Sequence, residues 1–390
     1  MRKIVNICVL FLSIIFSVIK AENVVKLKNN ISKENESTKN ISDNKSLKQA
    51  DVLNDAISDK NTLSEKNNQI NAGVLPGIVS IFPGFILHGS GHLAAGDTDT
   101  ALNLLLFEGI GLGLFFAGGA ALAASGASDK LIYFTAPVIM AGFGLFIFSS
   151  LSDIFGSFIG GVQYSNIKHN NLKISTGYMY ISDDNFLYEN FLVFEPSFHL
   201  SHFTLIPLLC FALDDKNQNY KLTSDYELFG SEGLYSFEKI DLSKINILSA
   251  FSYYNFDTEE FQIISAEVMV KGRYDLLRFS KSLSGTFVES GLGYSIDFTK
   301  YNHNSFNNED ANEQMLLYMA YGILYQTKKA DFEFLLFYDH RRDGYAGGMQ
   351  GGFTGSMGIS LYIYKEYFGF KFKFVKGIAS IFNINAEFRL

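Results

Sequence analysis

The chain has 390 residues, 47% of them hydrophobic and 15% aromatic, with no Trp and a formal net charge of -8 at pH 7. That length and apolar content supply a large core or a membrane domain, and an acidic balance without a basic stripe excludes nucleic acid as a partner, because nothing neutralises phosphates. The only cysteines are Cys8 and Cys210; once the N-terminal apolar run is removed, one thiol remains and no intramolecular disulfide can form.

Residues 1–21 place Arg2 and Lys3 before an apolar core that reaches Ile19 and end on Ala21, the pattern of a secretory signal peptide. Cys8 lies inside that core rather than after it, which argues against a lipid-anchored N-terminus. Residues 22–72 are dominated by Asn, Lys, Ser, Asp and Glu, with no aromatic, Gly or Pro. Such a segment buries too little apolar area to offset its ordering entropy and reads as a disordered polar tether. A loose amphipathic helix over 47–70 is the alternative.

Residues 73–161 are an apolar helical segment. Pro76 and Pro83 punctuate its first part, 75–95, which reads as a broken helix at a membrane interface. Two runs follow, 101–124 and 131–151, each about one bilayer span of some 20 residues. The run Asp97-Thr98-Asp99-Thr100 supplies capping side chains and negative charge at the first helix's N-terminus. Beyond it come one acid, Glu108, and then Gly109, Gly111, Gly113, Gly118 and Gly119, small residues that let apolar helices approach in lipid. The polar stretch 125–130 predicts a tight helical hairpin.

After Gly161 the periodicity switches from helical to alternating, which marks a boundary and assigns 162–390 to β-structure. Strand-like segments fall at 172–182, 191–200, 203–213, 226–237, 245–256, 262–274, 286–298, 314–326, 331–339, 357–364, 368–376 and 381–390. Many are long for globular strands but suited to a tilted membrane crossing. Phe368, Phe370, Phe372 and Phe374 share one face against Lys371 and Lys373; Phe382, Ile384, Ala386, Phe388 and Leu390 share one against Asn383, Asn385, Glu387 and Arg389. In the segment from Thr286, Val288, Leu292, Tyr294, Ile296 and Phe298 oppose Glu289, Gly291, Gly293, Ser295 and Asp297, as an apolar wall around a polar lumen would. The chain stops on a strand, although on Leu390 rather than an aromatic residue.

The run PGFILHGSGHLAAGDTDTALNLLLFEGIGLG and the patch DHRRDGYAGG, 339–348, resemble an uncharacterised family of bacterial cell-envelope proteins. In that family a PGF-hG-GH-AGD segment and an apolar helical hairpin precede an outer-membrane β-barrel. The resemblance covers roughly 75–158 and the C-terminal patch, and it implies architecture rather than a reaction.

Few residues suggest chemistry. His88 and His92 are spaced i, i+4 with Asp97 close after, which is half of a metal site; the other reading is structural, with the imidazoles bonded to backbone or to Asp97. Glu108 in an apolar helix needs a partner, and His88 or His92 could supply it, with a proton relay as the functional alternative. Asp153 reads as an interfacial residue. Asp339, His340, Arg341, Arg342 and Asp343 could form a loop folded into the lumen, or an ordinary salt-bridged hairpin tip. No nucleophile–base pair, cofactor motif or phosphate-binding loop is recognisable, so no enzyme and no cofactor are expected.

The expectation is therefore a membrane α+β protein: an apolar helical hairpin followed by an antiparallel β-barrel of about 12 strands. It would sit in the outer membrane as a passive pore or structural envelope component, with the lipid bilayer, barrel-assembly machinery and other envelope components as partners. The competing architecture is an inner-membrane hairpin holding a periplasmic β-domain that binds or anchors.

Overall fold

The computed structural model describes residues 71–126, 129–162, 171–183, 189–230, 235–236, 241–257, 260–301, 309–327, 330–340, 355–377 and 379–390. The expected signal peptide and nearly all of the tether lie outside these residues. Four helices come first: α1 (Val74–Ile81), α2 (Ser90–Ala94), α3 (Thr98–Ala124) and α4 (Asp129–Ile159). α1 and α2 are the two halves of the expected broken helix. Gly89, at φ 89°, begins α2 where a Cβ would come within 2.3 Å of the Ala101 carbonyl oxygen, so only glycine fits. The Asp97 side chain accepts from the Thr100 N–H at 3.2 Å and caps α3.

α3 and α4 form the hairpin, and their glycines set its closeness. A Cβ on Gly142 would lie 2.5 Å from the Phe115 backbone nitrogen, and one on Gly111 would lie 2.8 Å from the Gly142 carbonyl oxygen. The two backbones therefore touch, which is the packing small residues permit between apolar helices.

The remaining elements are strands: β1 (Leu172–Ser182), β2 (Asn190–Leu200), β3 (Phe203–Ala212), β4 (Gln218–Gly230), the two-residue β5 (Tyr235–Ser236), β6 (Lys244–Phe256), β7 (Phe261–Asp275), β8 (Thr286–Tyr301), β9 (Glu309–Gln326), β10 (Asp331–Asp339), β11 (Ser356–Lys365), β12 (Phe368–Lys376) and β13 (Ser380–Arg389). Antiparallel neighbours run from β1 to β4, on through β6 to β13, and back to β1, so twelve strands close into a ring. β5 is a parallel bridge on the edge of β4 and takes no part in closure. The barrel begins at Leu172; residue 162 instead docks on the segment before β8, its N–H donating to the Ser284 carbonyl at 2.9 Å.

The strand that departs most from expectation is the fourth, while β9 begins five residues early, at Glu309. β4 occupies 218–230 rather than 226–237. Its first half carries Asn219, Lys221, Thr223 and Asp225, a composition that reads as loop, yet these residues face inward with Tyr220 and Leu222 outward.

The ring has two rims. At the near rim β1 starts and β13 ends, with the Leu172 and Leu390 backbones bonded to each other; at the far rim β10 ends at Asp339 and β11 begins at Ser356. Strict alternation puts Leu192, Phe251, Val270, Leu292, Phe370 and Ile384 outward and exposed, so the outer wall is apolar all round. Between β7 and β8 two 3-10 turns, Leu276–Arg278 and Lys281–Leu283, form a near-rim shelf.

Candidate functional site

The lumen has two layers. Toward the far rim many inward positions are apolar: Ile181 is 0% exposed, and Val193, Cys210 and Leu316 are each 1% exposed, with Asn219 opposite Cys210 and the Ser265–Asp297 hydrogen bond as polar exceptions. They belong to one buried cluster with Phe191, Phe337, Val375 and Ile381, drawn from strands all round the ring. A side chain facing an open lumen stays wet, so burial this complete means that protein atoms occupy the barrel at that level. On β8 the expected polar inner face is present, with Glu289, Ser295 and Asp297 turned inward, but it does not extend to β1 and β2, where at Met179, Ile181, Phe191 and Val193 the inner face is apolar as well as the outer.

Toward the near rim the interior is ionic. The Glu289 carboxylate, 2% exposed, pairs with Lys271 Nζ at 2.7 Å and Arg273 Nε at 2.7 Å, and accepts from the Tyr318 hydroxyl at 3.2 Å. Arg273 also reaches Glu333 at 3.4 Å and lies 3.9 Å above the centre of the Phe287 ring. Lys371 on β12 pairs with Glu195 on β2 at 2.9 Å, across β13 and β1. A cavity of about 150 Å³ remains at the near rim, lined by Lys173, Ser197, His199, Thr204, Lys244 and Asn246 among others.

At the far rim, Asp339 ends β10 facing inward opposite Ser356. The His340 N–H donates to the Leu317 carbonyl at 2.8 Å, and its Nδ1 sits 2.9 Å from the Tyr338 hydroxyl. Arg341, Arg342 and Asp343 lie outside the described residues.

A second polar cluster is buried among the helices. His92 Nδ1 donates to Asp153 Oδ1 at 2.8 Å; the same carboxylate accepts from the backbone N–H groups of Gly91 at 3.2 Å and His92 at 3.1 Å and from the Ser157 hydroxyl at 3.2 Å. The Ser149 hydroxyl donates to the Phe146 carbonyl at 2.9 Å, leaving its lone pair to accept from His88 Nδ1 at 2.6 Å. Glu108 Oε2 accepts from the His88 backbone N–H at 2.9 Å and stands 4.0 Å from its Nδ1. His88 and His92 are 1% and 0% exposed, and the Nε2 atoms of both lack a hydrogen-bond partner.

Glu108 thus meets His88, while the partner of His92 is Asp153 rather than Asp97. Asp97 faces the near-rim shelf, where its Oδ2 accepts from the Ser282 hydroxyl at 2.9 Å. Among the described residues no three His, Cys, Asp or Glu side chains are grouped to hold a metal ion. Asp153, taken from the sequence as interfacial, is fully buried. A signal for it was present: Ser149, Asp153 and Ser157 recur every four residues and line one face of α4, facing His88 and His92, which are also four apart.

No family model and no curated protein matches the chain. Among solved structures, it is similar to the translocator domain of the autotransporter NalP from Neisseria meningitidis, at 9% identity and a TM-score of 0.37, covering 57% of this chain and 90% of that one. It is also similar to the KdgM porin, at 9% identity and a TM-score of 0.34, covering 56% of this chain and 99% of that one. A third is the outer membrane protein Omp33 of Acinetobacter baumannii, at 8% identity and a TM-score of 0.30, covering 57% and 98%. At TM-scores this low the likeness carries no argument, and the barrel assignment rests on the strand pairing.

Proposed function

We propose that this chain is an outer-membrane β-barrel protein with a closed lumen, a structural component of the cell envelope rather than an open pore or an enzyme. The supporting observation is the buried apolar cluster inside the ring: Ile181, Val193, Cys210, Leu316 and Phe337 point inward and yet are each 7% exposed or less. An antiparallel, fully closed ring with an apolar outer wall suits the water-free hydrocarbon core of a bilayer, because closure leaves no open sheet edge. The inner-membrane alternative would put that outer wall in the aqueous periplasm, a far larger apolar area than a soluble domain exposes. In this reading residues 1–21 direct export, barrel-assembly machinery inserts the ring, and 22–72 tether it to another envelope component. The 75–158 segment and the 339–348 patch are the parts that resemble the cell-envelope family.

Purified protein in a planar bilayer tests the closed lumen. The parent protein is expected to give no stable conductance steps, and the Leu316→Ala, Phe337→Ala double variant, which hollows the apolar layer, is expected to give them. Steady steps from the parent would refute the closed-lumen reading and restore the pore. A folded-versus-boiled mobility shift in the outer membrane fraction confirms in the same preparation that the barrel is assembled.

A further inference from the structure

We propose that the α3–α4 hairpin crosses the same bilayer as the barrel, lying lengthwise on the wall at β8 and β9 with its outer face against lipid acyl chains. This rests on the reading of the ring as a membrane barrel.

The argument begins with the order of contacts. At the near rim, a Cβ on Gly156 would come within 3.0 Å of Leu283 Cδ2, and the Thr100 hydroxyl donates to Ser280 at 2.6 Å. Higher up, the Phe148 ring lies 6.1 Å from that of Tyr321, and higher again Gly144 backs onto the Met319 side chain. Going from Phe148 to Gly144 raises α4 by about 6 Å, and going from Tyr321 to Met319 raises a strand tilted at about 40° by about 5 Å. Helix and barrel therefore climb together. A hairpin lying flat on the near rim would not keep that register.

Length and surface agree. α3 has 27 residues and α4 has 31, or about 40 and 46 Å of helix, more than the apolar band of about 25 Å on such a barrel. Between the contacts with the wall, α3 leaves Leu102, Leu106, Ile110 and Phe116 exposed, and α4 leaves Phe134 and Phe143 exposed. These side chains continue the apolar belt of the barrel, whose only fitting neighbour is lipid. The chain before α3 completes the arrangement: it leaves the near rim at Gly73, whose N–H donates to the Ser157 carbonyl at 2.9 Å, rises to His88 beside Ser149, and returns to Asp97 on the near-rim shelf. It is a re-entrant segment, and it packs against the His88–Glu108 and His92–Asp153 pairs, so that both acids are buried, Glu108 at 6% and Asp153 at 0% exposure.

Three variants that each add one cysteine, Ile110→Cys, Phe116→Cys and Phe251→Cys, each labelled with a bimane and reconstituted into liposomes, read the arrangement directly. Cys210 is buried, so the parent chain serves as the unlabelled control. Acyl-chain-brominated lipid is expected to remove most of the emission from both hairpin positions and from Phe251→Cys on the outer wall, and aqueous iodide little. Iodide quenching at positions 110 and 116 with bromolipid quenching at 251 would overturn the proposal and keep the barrel in the membrane. Protection of 110 and 116 from both quenchers would also overturn it, in favour of a second copy seated on the hairpin. Iodide quenching at all three would overturn the membrane reading itself.

Discussion

Removing the Glu289 carboxylate while keeping its shape, as Glu289→Gln, should destabilise the barrel by about 3 kcal/mol, the lower end of what breaking a buried ion pair costs. The magnitude follows from the geometry. At 2.7 Å from both Lys271 Nζ and Arg273 Nε, each attraction is worth about 6 kcal/mol gross at an effective dielectric constant of about 20. Desolvation of the three ions cancels most of that, so the intact cluster is close to neutral for stability. The amide leaves two cations desolvated; Arg273 keeps Glu333 at 3.4 Å and Lys271 keeps partial contact with water, which holds the cost near 3 rather than 5 kcal/mol. The assay is the folded fraction, read as heat-modifiable gel mobility, across a urea series in lipid vesicles, with stability taken from the midpoint at unchanged slope. The triple variant Lys271→Met, Arg273→Met, Glu289→Leu, which replaces the whole cluster by apolar side chains, should recover most of the loss. A Glu289→Gln shift below about 1 kcal/mol would refute the reasoning, since it would mean that water reaches the cluster and the near half of the lumen is open.

Cys210 should resist a maleimide in the folded barrel and react after boiling; labelling without boiling would indicate a wet lumen at that height. Gly142→Leu forces a side chain onto the Phe115 backbone and should destabilise the hairpin by about 1 to 3 kcal/mol, whereas Gly109→Ala, with open space around it, should gain up to about 1 kcal/mol of helix propensity; thermal unfolding separates the two. At the near rim, burial pushes the Asp241 carboxyl up, but hydrogen bonds from Arg278 and Ser243 outweigh it and hold the group below the usual carboxylate range. A depressed carboxyl stabilises above its unfolded pKa of about 3.9 and stops doing so as pH falls through the folded value. Since the Arg278 side chain is 41% exposed, Arg278→Gln should cost at most about 1 kcal/mol at neutral pH, and the difference from the parent should vanish in acid; a difference that grew on acidification would contradict the assignment.

The sequence made the outer wall far more legible than the interior. β1, β10 and β12 lie where alternation places them, because their outward faces are mostly apolar or aromatic, as Phe332, Phe334, Leu336 and Tyr338 are on β10 and Phe368, Phe370, Phe372 and Phe374 on β12. β4 was displaced because a lumen-facing strand carries the Asn, Lys and Asp that elsewhere mark a loop. The apolar plug was illegible for a different reason: where both faces of β1 and β2 are apolar, the period-2 signal shows orientation but not how far side chains reach across a ring. Among the helices, the spacing of His88 and His92 pointed to a shared face and Glu108 to a needed partner, but the choice of Asp153 over Asp97 depends on how the re-entrant segment packs against α4, a contact about 60 residues apart in sequence.

Those buried acids also bear on how two apolar helices escape arrest in the inner membrane on the way to an outer-membrane barrel. In the folded protein Glu108 and Asp153 are covered by the re-entrant segment; in a hairpin emerging alone, each faces lipid and penalises insertion by about 2.5 to 3.5 kcal/mol at mid-membrane, against a gain of about 0.5 kcal/mol for Leu. Two acids thus make the unfolded hairpin a poor stop signal, and the same two stabilise it once its partners are in place. The double variant Glu108→Leu, Asp153→Leu should therefore shift the chain from the outer to the inner membrane fraction, while Glu108→Gln, Asp153→Asn, which disturbs the same contacts without making the segment as apolar, should shift it far less. Equal retention of both variants would trace the effect to misfolding, and unchanged outer-membrane recovery of the leucine variant would mean that the acids play no part in export.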